Sequence, residues 1–151
     1  MDGSNPAHDW QGYIPREHNP HVLNPPRGFI SSANQNPTGE TYPYRTDGYY
    51  DQTRGKRINE ALDKMSDITV EDMQQLQNDV TNLLAMETLP EMLELLDKNR
   101  LNAAGQNIVE ELKKWNYQNA PHELGAAYWE MWSLAVRNHA WEGYQQQDDY
   151  K

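Results

Sequence analysis

The sequence contains no cysteine and only one phenylalanine among its 151 residues. The absence of cysteine excludes disulfides, thiolate metal sites and a cysteine nucleophile. No apolar run approaches the roughly 20 residues that a membrane-spanning helix needs. We therefore expect neither a cysteine-based chemistry nor a membrane partner.

The chain also has few basic residues, and its formal net charge is −10. Residues 1 to 60 are nearly balanced, with six Lys or Arg against seven Asp or Glu, whereas residues 61 to 151 hold seven against sixteen. An acidic surface repels phosphate backbones and anionic headgroups, and no basic stripe compensates for it. Nucleic acid and membrane surfaces are therefore poor candidate partners.

Large aromatic side chains are present, and they replace much of the missing aliphatic bulk. The apolar fraction is only 36%, but there are nine Tyr and five Trp. A chain of this length is large enough for one domain with a core. Tyr and Trp rings bury large areas but need partners for their polar atoms, so they suit wet clefts and interfaces as well as cores.

The first third of the chain, residues 1–50, is predicted to be loop-rich. It carries most of the prolines, shows no helical period, and is too long for an ordinary connection within a compact domain. Two segments in it are typical of short strands, Gly12–Ile14 and Gly28–Gln35. The predicted fold class is therefore mainly α, with an irregular N-terminal segment that has one or two short strands.

Residues 51–151 have the apolar periodicity of about five helices. Asp51 is a candidate cap for the first helix, and Thr69–Asp72 resembles a capping box that opens the second. Pro90 is predicted to interrupt the second helix and to start a third, because proline is tolerated mainly in a first turn. Two further helices are predicted at Ala103–Trp115 and from Pro121 to about Trp141.

The apolar positions predict which faces of these helices are buried. The predicted inward residues are Ile58, Leu62 and Met65 in the first helix, Val70, Met73, Leu76, Val80, Leu83 and Leu84 in the second, and Leu124, Tyr128, Met131, Ala135 and Val136 in the last.

Several residues with possible chemistry have simpler interpretations. His18 and His21 have a spacing seen in metal sites, but no third ligand accompanies them, so exposed loop histidines are the default. Ser4 follows glycine, as the nucleophile of a self-cleaving hydrolase does, yet Pro6 and a hydrophilic turn surround it. His139 is expected to be a hydrogen-bonded core or surface histidine on the last helix.

Four ordered blocks carry a family resemblance. "DWQGYIP" (Asp9–Pro15), "NPPRGFISSANQNP" (Asn24–Pro37), "YPY" (Tyr42–Tyr44) and "TRGKRINEAL" (Thr53–Leu62) resemble a stretch of the penicillin acylase, or penicillin amidase, family. That family belongs to the N-terminal-nucleophile hydrolases. The resemblance covers most of residues 9–115.

The resemblance implies roles for two residues. Members of the family cleave linear acyl amides by attack of an N-terminal Ser, and an Asn in the position of Asn34 helps to form the oxyanion hole. Arg54 occupies the position of an Arg that lies near this Asn and supports the catalytic geometry. One oxyanion donor is commonly worth about 10²–10³ in rate.

The resemblance also implies that residues are missing. The family's catalytic Ser begins a long β chain well before the "NPP" block, so neither the nucleophile nor its α-amino base is expected in these 151 residues. The chain thus resembles an internal fragment of the β chain of an αββα hydrolase, inactive by itself. Its expected partners are the α chain, the rest of the β chain and a small acyl-amide substrate.

The family further implies a periplasmic or secreted location, and calcium is possible in the parent protein. The calcium ligand of some members is an Asp shortly after the "YP" block, and Asp47 is the nearest match but is displaced by one residue. No metal ligand and no other cofactor is therefore predicted within this chain.

A second hypothesis comes from a different class of protein. Since no complete catalytic set can be assembled from these residues, the chain is alternatively a free-standing helical interaction module, with acidic helices and a proline-rich arm that wrap a partner. A coding region upstream that holds Gly-Ser or Gly-Thr before a strand would favour the hydrolase.

Overall fold

The computed structural model describes residues 3–10, 12–44, 46, 48, 50 and 52–145. The chain divides into two compact units, Met1–Ser66 and Asp67–Lys151. Helices dominate the described residues, and the only β pairing among them is one isolated bridge. The mainly α fold class predicted from the sequence is confirmed.

The described residues form five α-helices and three short 3₁₀ turns. The α-helices are α1 (Gln52–Leu62), α2 (Val70–Gln77), α3 (Leu83–Leu95), α4 (Ala103–Lys114) and α5 (Leu124–Gln145). The 3₁₀ turns lie at Pro6–His8, Arg16–His18 and Lys98–Arg100. Helix α1 belongs to the first unit, and Asp51, its predicted cap, lies outside the described residues.

The two predicted short strands are not formed. Gly12–Ile14 and Gly28–Gln35 have no strand assignment, because no described segment pairs with them. The Gly28 N–H instead closes a turn on the carbonyl of Pro25, at 2.9 Å. Farther along, Asn34 has a φ of 61°, which is incompatible with an extended strand.

The predicted capping box at the start of α2 is confirmed. The Thr69 hydroxyl accepts a hydrogen bond from the Asp72 N–H at 3.2 Å, and the Asp72 carboxylate accepts from the Thr69 N–H at 2.9 Å. The backbone N–H and the hydroxyl of Thr69 both favour the ionised carboxylate, and they lower the pKa of Asp72. The two residues therefore satisfy N–H groups that the first turn leaves unpaired.

The predicted break at Pro90 is wrong. Helix α3 runs through Pro90, and the interruption lies earlier, between the end of α2 at Gln77 and the start of α3 at Leu83. Proline inside a helix costs about 3 kcal/mol. Leu89 and Met92, on either side of it, pack in or against the same core, and this burial offsets that cost.

Side chains and a pairing with residues 117–119 explain the earlier break. The Asn82 side chain caps α3 by accepting from the Ala85 N–H at 2.9 Å. The Asn82 N–H donates to the carbonyl of Tyr117, and Thr81 forms an antiparallel bridge with Gln118. These bonds replace the helical ones, so α2 and α3 are separate. Of the predicted inward residues from Val70 to Leu84, Leu83 alone is buried.

The core of the second unit is built from α3, α4 and α5. Its buried members are Ala85, Leu89, Leu112, Trp115 and Trp129. The Trp115 indole N–H donates to the carbonyl of Gln118 at 2.9 Å. The ring is thus buried with its one polar atom satisfied, as expected for an aromatic core.

The predicted inward face of α5 is confirmed at Tyr128, which packs against the core, and is wrong at its other positions. Leu124, Met131 and Val136 are exposed, whereas Gly125 and Trp129 are buried. The first turn of α5 approaches α4 so closely that a Cβ on Gly125 would lie 2.4 Å from Trp115. The missing side chain of Gly125 lets α5 pack against the indole, and Trp129 follows one turn later.

Within the described residues, no helix combines the length and the hydrophobicity needed to cross a bilayer.

Candidate functional site

Asn34 lies in an irregular segment, residues 31–35, that packs against α1 within the first unit. Its φ of 61° is in the left-handed region, which Asn tolerates better than most residues because its short side chain can hydrogen-bond locally. The preceding Ala33 is buried, whereas Asn34 itself is exposed. The Asn34 side chain is therefore exposed to solvent, while the residue before it is buried.

Arg54 in the first turn of α1 contacts this side chain. Its Nη1 donates a hydrogen bond to Asn34 Oδ1 at 3.0 Å, across 20 residues of sequence. A guanidinium has only donors, so it selects the oxygen of the Asn34 amide as its partner. The contact thereby sets which end of the amide faces Arg54 and which faces away.

The Asn34 amide nitrogen has no acceptor among the described residues. Asn34 and Arg54 are both exposed, so an incoming group can reach the amide. An NH₂ group held in this way can donate to an oxygen that carries or develops negative charge. The Asn34 side chain is thus an exposed amide whose oxygen accepts a hydrogen bond from a cationic side chain.

The Gln35 side chain forms hydrogen bonds with backbone atoms of its own segment. Its side-chain oxygen accepts from the Ala33 N–H at 2.5 Å, and its side-chain nitrogen donates to the carbonyl of Ser31 at 3.1 Å. Gly55 of α1 is buried beneath it, and a Cβ at Gly55 would lie 3.0 Å from Gln35 Oε1. A glycine at this position therefore lets the segment lie directly on the helix.

Asn59, one turn after Gly55, holds the beginning of the segment. Its Oδ1 accepts from the Ser31 hydroxyl at 2.6 Å and from Arg27 Nη1 at 3.0 Å. Arg27 also donates to the carbonyl of Phe29 at 3.0 Å and lies over the Phe29 ring, with 4.6 Å from Cζ to the centroid. Residues 27–35 are thus hydrogen-bonded to α1 at Arg27, Ser31 and Asn34.

A cleft of about 660 Å³ borders this segment. Ser32 and Asn36 line one part of it, and His18 and His21 line another. The Nδ1 atoms of these histidines lie 2.7 Å from the Tyr44 hydroxyl and 3.0 Å from the carbonyl of Asn19. Both histidines are exposed, as the sequence predicts; His18 ends the 3₁₀ turn Arg16–His18, and His21 lies in a loop.

The described part of the chain contains no group of three or more His, Asp or Glu side chains able to hold a metal ion. Asp47, the nearest match to a calcium ligand, lies outside the described residues. His139 on α5 is exposed, and its Nδ1 lies 3.1 Å from a Glu142 carboxylate oxygen. It is therefore a surface histidine in a local pair.

The sequence model of the penicillin amidase family matches residues 1–148, almost the whole chain. The chain belongs to the penicillin amidase family. A curated member, penicillin acylase 2 proenzyme of Pseudomonas sp. (strain SE83), is 35% identical over 63 residues. That stretch is 41% of this chain and 8% of the proenzyme, so the chain spans a small part of this relative. No solved structure matches the chain.

The penicillin amidase motif directs attention to Asn34 and Arg54, and the structure brings these two side chains into contact. Their catalytic roles remain predictions. The motif does not single out Gln35, Gly55 and Asn59, which hold the segment in place. Gly55 and Asn59 are one helical turn apart, and that spacing was the available signal that they share a face of α1.

Proposed function

We propose that these residues form part of a penicillin acylase-like amidohydrolase, which cleaves a linear acyl amide with an N-terminal Ser supplied by another part of the enzyme. Asn34 is the oxyanion-hole donor in this proposal. Membership of the penicillin amidase family supports the reaction class. The hydrogen bond from Arg54 to Asn34 Oδ1 is the observation that carries the proposal, because it turns the Asn34 NH₂ group outward.

The proposed step is the formation of the tetrahedral intermediate. The Ser oxygen bonds to the acyl carbon, its proton passes to the α-amino base, and the carbonyl oxygen becomes an oxyanion. Asn34 Nδ2 donates a hydrogen bond to that oxyanion. Arg54 withdraws electron density from the other end of the amide, which strengthens the N–H donor.

Completion of the reaction follows from the same intermediate. Collapse of the intermediate breaks the carbon–nitrogen bond, and the amine leaves with the proton that the base had received. Water then hydrolyses the acyl-enzyme and releases the acid. Asn34 acts in both halves, since each passes through an oxyanion at the same site.

The remaining parts of the enzyme are the proposed partners. The α chain and the rest of the β chain supply the nucleophile and the acyl pocket. The proposed periplasmic or secreted location is that of the whole enzyme, and any calcium site would belong to it as well. Trp10, Tyr13 and Leu23 of the first unit expose more than four-fifths of their surface. We assign these exposed side chains to the contact with the rest of the hydrolase.

The test replaces the donor without changing the shape of the side chain. Asn34→Asp keeps an acceptor for Arg54 and tolerates the left-handed backbone, but it places a carboxylate where the oxyanion forms. In the complete hydrolase we expect kcat for a chromogenic acyl amide to fall by about 10²–10³ or more. Asn34→Gly, which removes the donor and suits the positive φ, should have a similar effect.

Asn36→Asp is the matched control. It adds the same charge two residues away and retains the acceptor oxygen, which accepts from the Thr38 N–H at 3.0 Å. We expect little change in kcat. Arg54→Met should lower kcat by about 10- to 100-fold by misplacing the donor. Combined with Asn34→Gly, it should lower kcat little further, because both substitutions act through the Asn34 amide. Normal turnover by Asn34→Asp would remove the oxyanion assignment.

A further inference from the structure

We propose that Asn59 is a positioning residue that holds the Asn34 segment in register on α1. The inference rests on the proposed function of Asn34 as an oxyanion donor. Asn59 contacts neither substrate nor oxyanion in this scheme. It acts through the segment that carries the donor.

Two hydrogen bonds to one oxygen carry this inference. Asn59 Oδ1 accepts from the Ser31 hydroxyl at 2.6 Å and from Arg27 Nη1 at 3.0 Å. Ser31 lies three residues before Asn34 and Arg27 seven residues before it. Asn59 is half-buried in the last turn of α1, where its carbonyl accepts from the Asp63 N–H at 2.9 Å. It therefore connects a rigid element to the start of the irregular segment.

A second connection is needed because the Arg54 bond by itself leaves a freedom of movement. Arg54 holds the tip of the segment at Asn34. The bonds of Gln35 are internal to the segment and do not stop it from rotating as a unit. The anchor at Ser31 adds a hydrogen-bonded attachment to α1, beside the packing of Gln35 on Gly55. A donor in a catalytic site must be held to within about 0.5 Å and 10–20° of its working geometry, so both ends matter.

The chemistry of the contact distinguishes two substitutions of Asn59. Both observed bonds are accepted by its oxygen, so the NH₂ group is not needed for them. Asn59→Asp retains the acceptor and adds an attractive charge beside Arg27. Asn59→Leu has a comparable size but leaves the Ser31 hydroxyl and Arg27 Nη1 without this acceptor.

The first measurement is the steady-state kinetics of the complete hydrolase with a chromogenic acyl amide. We expect Asn59→Leu to lower kcat by about 10- to 100-fold with KM nearly unchanged, because the misplaced donor acts only in the transition state. Asn59→Asp should have nearly normal kcat. Asn59→Leu combined with Asn34→Gly should be no slower than Asn34→Gly alone.

The second measurement does not depend on activity. In ¹H–¹⁵N spectra of the 151-residue chain, Asn59→Leu should shift the backbone amide signals of Ser32, Ala33 and Asn34, and Asn59→Asp should leave them close to their original positions. Ser31→Ala removes only one of the two bonds and should cause smaller shifts. This milder variant also decides the matter if Asn59→Leu does not fold.

The outcomes separate the two proposals. Normal turnover by Asn34→Asp would overturn the proposed function, while the spectra would still show whether Asn59 holds the segment. A slow Asn34→Asp with normal turnover by both Asn59→Leu and Ser31→Ala would overturn the positioning role alone. Equal losses for Asn59→Asp and Asn59→Leu would also contradict it, because the acceptor oxygen would then not be the feature that matters.

Discussion

Gly125→Ala is the substitution that most directly tests the packing of the second unit. Gly125 is buried at the second position of α5. A Cβ there would lie 2.4 Å from both Cβ and Cγ of Trp115 and 2.9 Å from its Cδ1. These atoms are at the base of the indole side chain, so they cannot move away without a shift of the backbone that follows α4.

The expected loss of stability follows from two opposing effects. Overpacking a core costs about 1–3 kcal/mol and occasionally more. Replacing glycine by alanine inside a helix gains up to about 1 kcal/mol, and less in a first turn. The overlap with Trp115 involves two atoms at 2.4 Å, which favours the upper end of the cost. We therefore expect the free energy of unfolding to fall by about 2 kcal/mol.

Urea unfolding of the 151-residue chain, followed by far-ultraviolet circular dichroism, measures this loss. With an m-value of about 2 kcal/mol/M, the midpoint for the second unit should fall by about 1 M. Gly105→Ala in α4 is the matched control. Its Cβ would lie 3.3 and 3.4 Å from side-chain atoms of Leu101, which can adjust. An unchanged midpoint for Gly125→Ala would refute the close approach of α5 to Trp115.

Two further predictions concern the same unit. Leu89→Ala should lower the free energy of unfolding by about 2–5 kcal/mol, because Leu89 is 1% exposed in the core. Leu95→Ala, at a position 79% exposed on the same helix, should change it by about 0.5 kcal/mol or less. Equal urea midpoints for the two variants would contradict the assigned core. The lowered pKa of Asp72 predicts a stabilisation that is present above the ordinary carboxyl pKa of 3.8 and is lost as the pH falls through the lower folded value. The difference in stability between the wild type and Asp72→Asn should therefore shrink in acid, and a difference independent of pH would contradict the role of the carboxylate.

Local structure was predictable where neighbouring residues decide it. The Thr69–Asp72 capping box needs only side chains three residues apart, and it forms as the sequence indicates. The helix predicted at Ala103–Trp115 is observed at Ala103–Lys114. Both features depend on bonds and apolar spacing within one or two turns, which a sequence displays directly.

Predictions from local periodicity failed where distant contacts decide the structure. Pro90 is a local signal for a helix end, but burial of the residues around it keeps α3 continuous. The end of α2 is instead accompanied by a pairing of Thr81 with Gln118, 37 residues away. The inward face of α5 depends on an approach to Trp115 that hydrophobic spacing cannot reveal, since Gly125 contributes no side chain to the pattern.

The amino-acid sequence by itself determined the mainly helical class and the membership of the penicillin amidase family. It also identified Asn34 and Arg54 as candidate site residues. The family resemblance already implied that Arg54 lies near Asn34, and the structure shows the hydrogen bond between them. Tertiary structure alone decided that Asn34 takes a left-handed backbone and that Gln35, Gly55 and Asn59 hold the segment that carries it. The physical reason is the range of the interactions. Composition and motifs follow from residue identity, but the direction of one amide depends on hydrogen bonds between residues 20 to 32 positions apart, which exist only once the chain has folded.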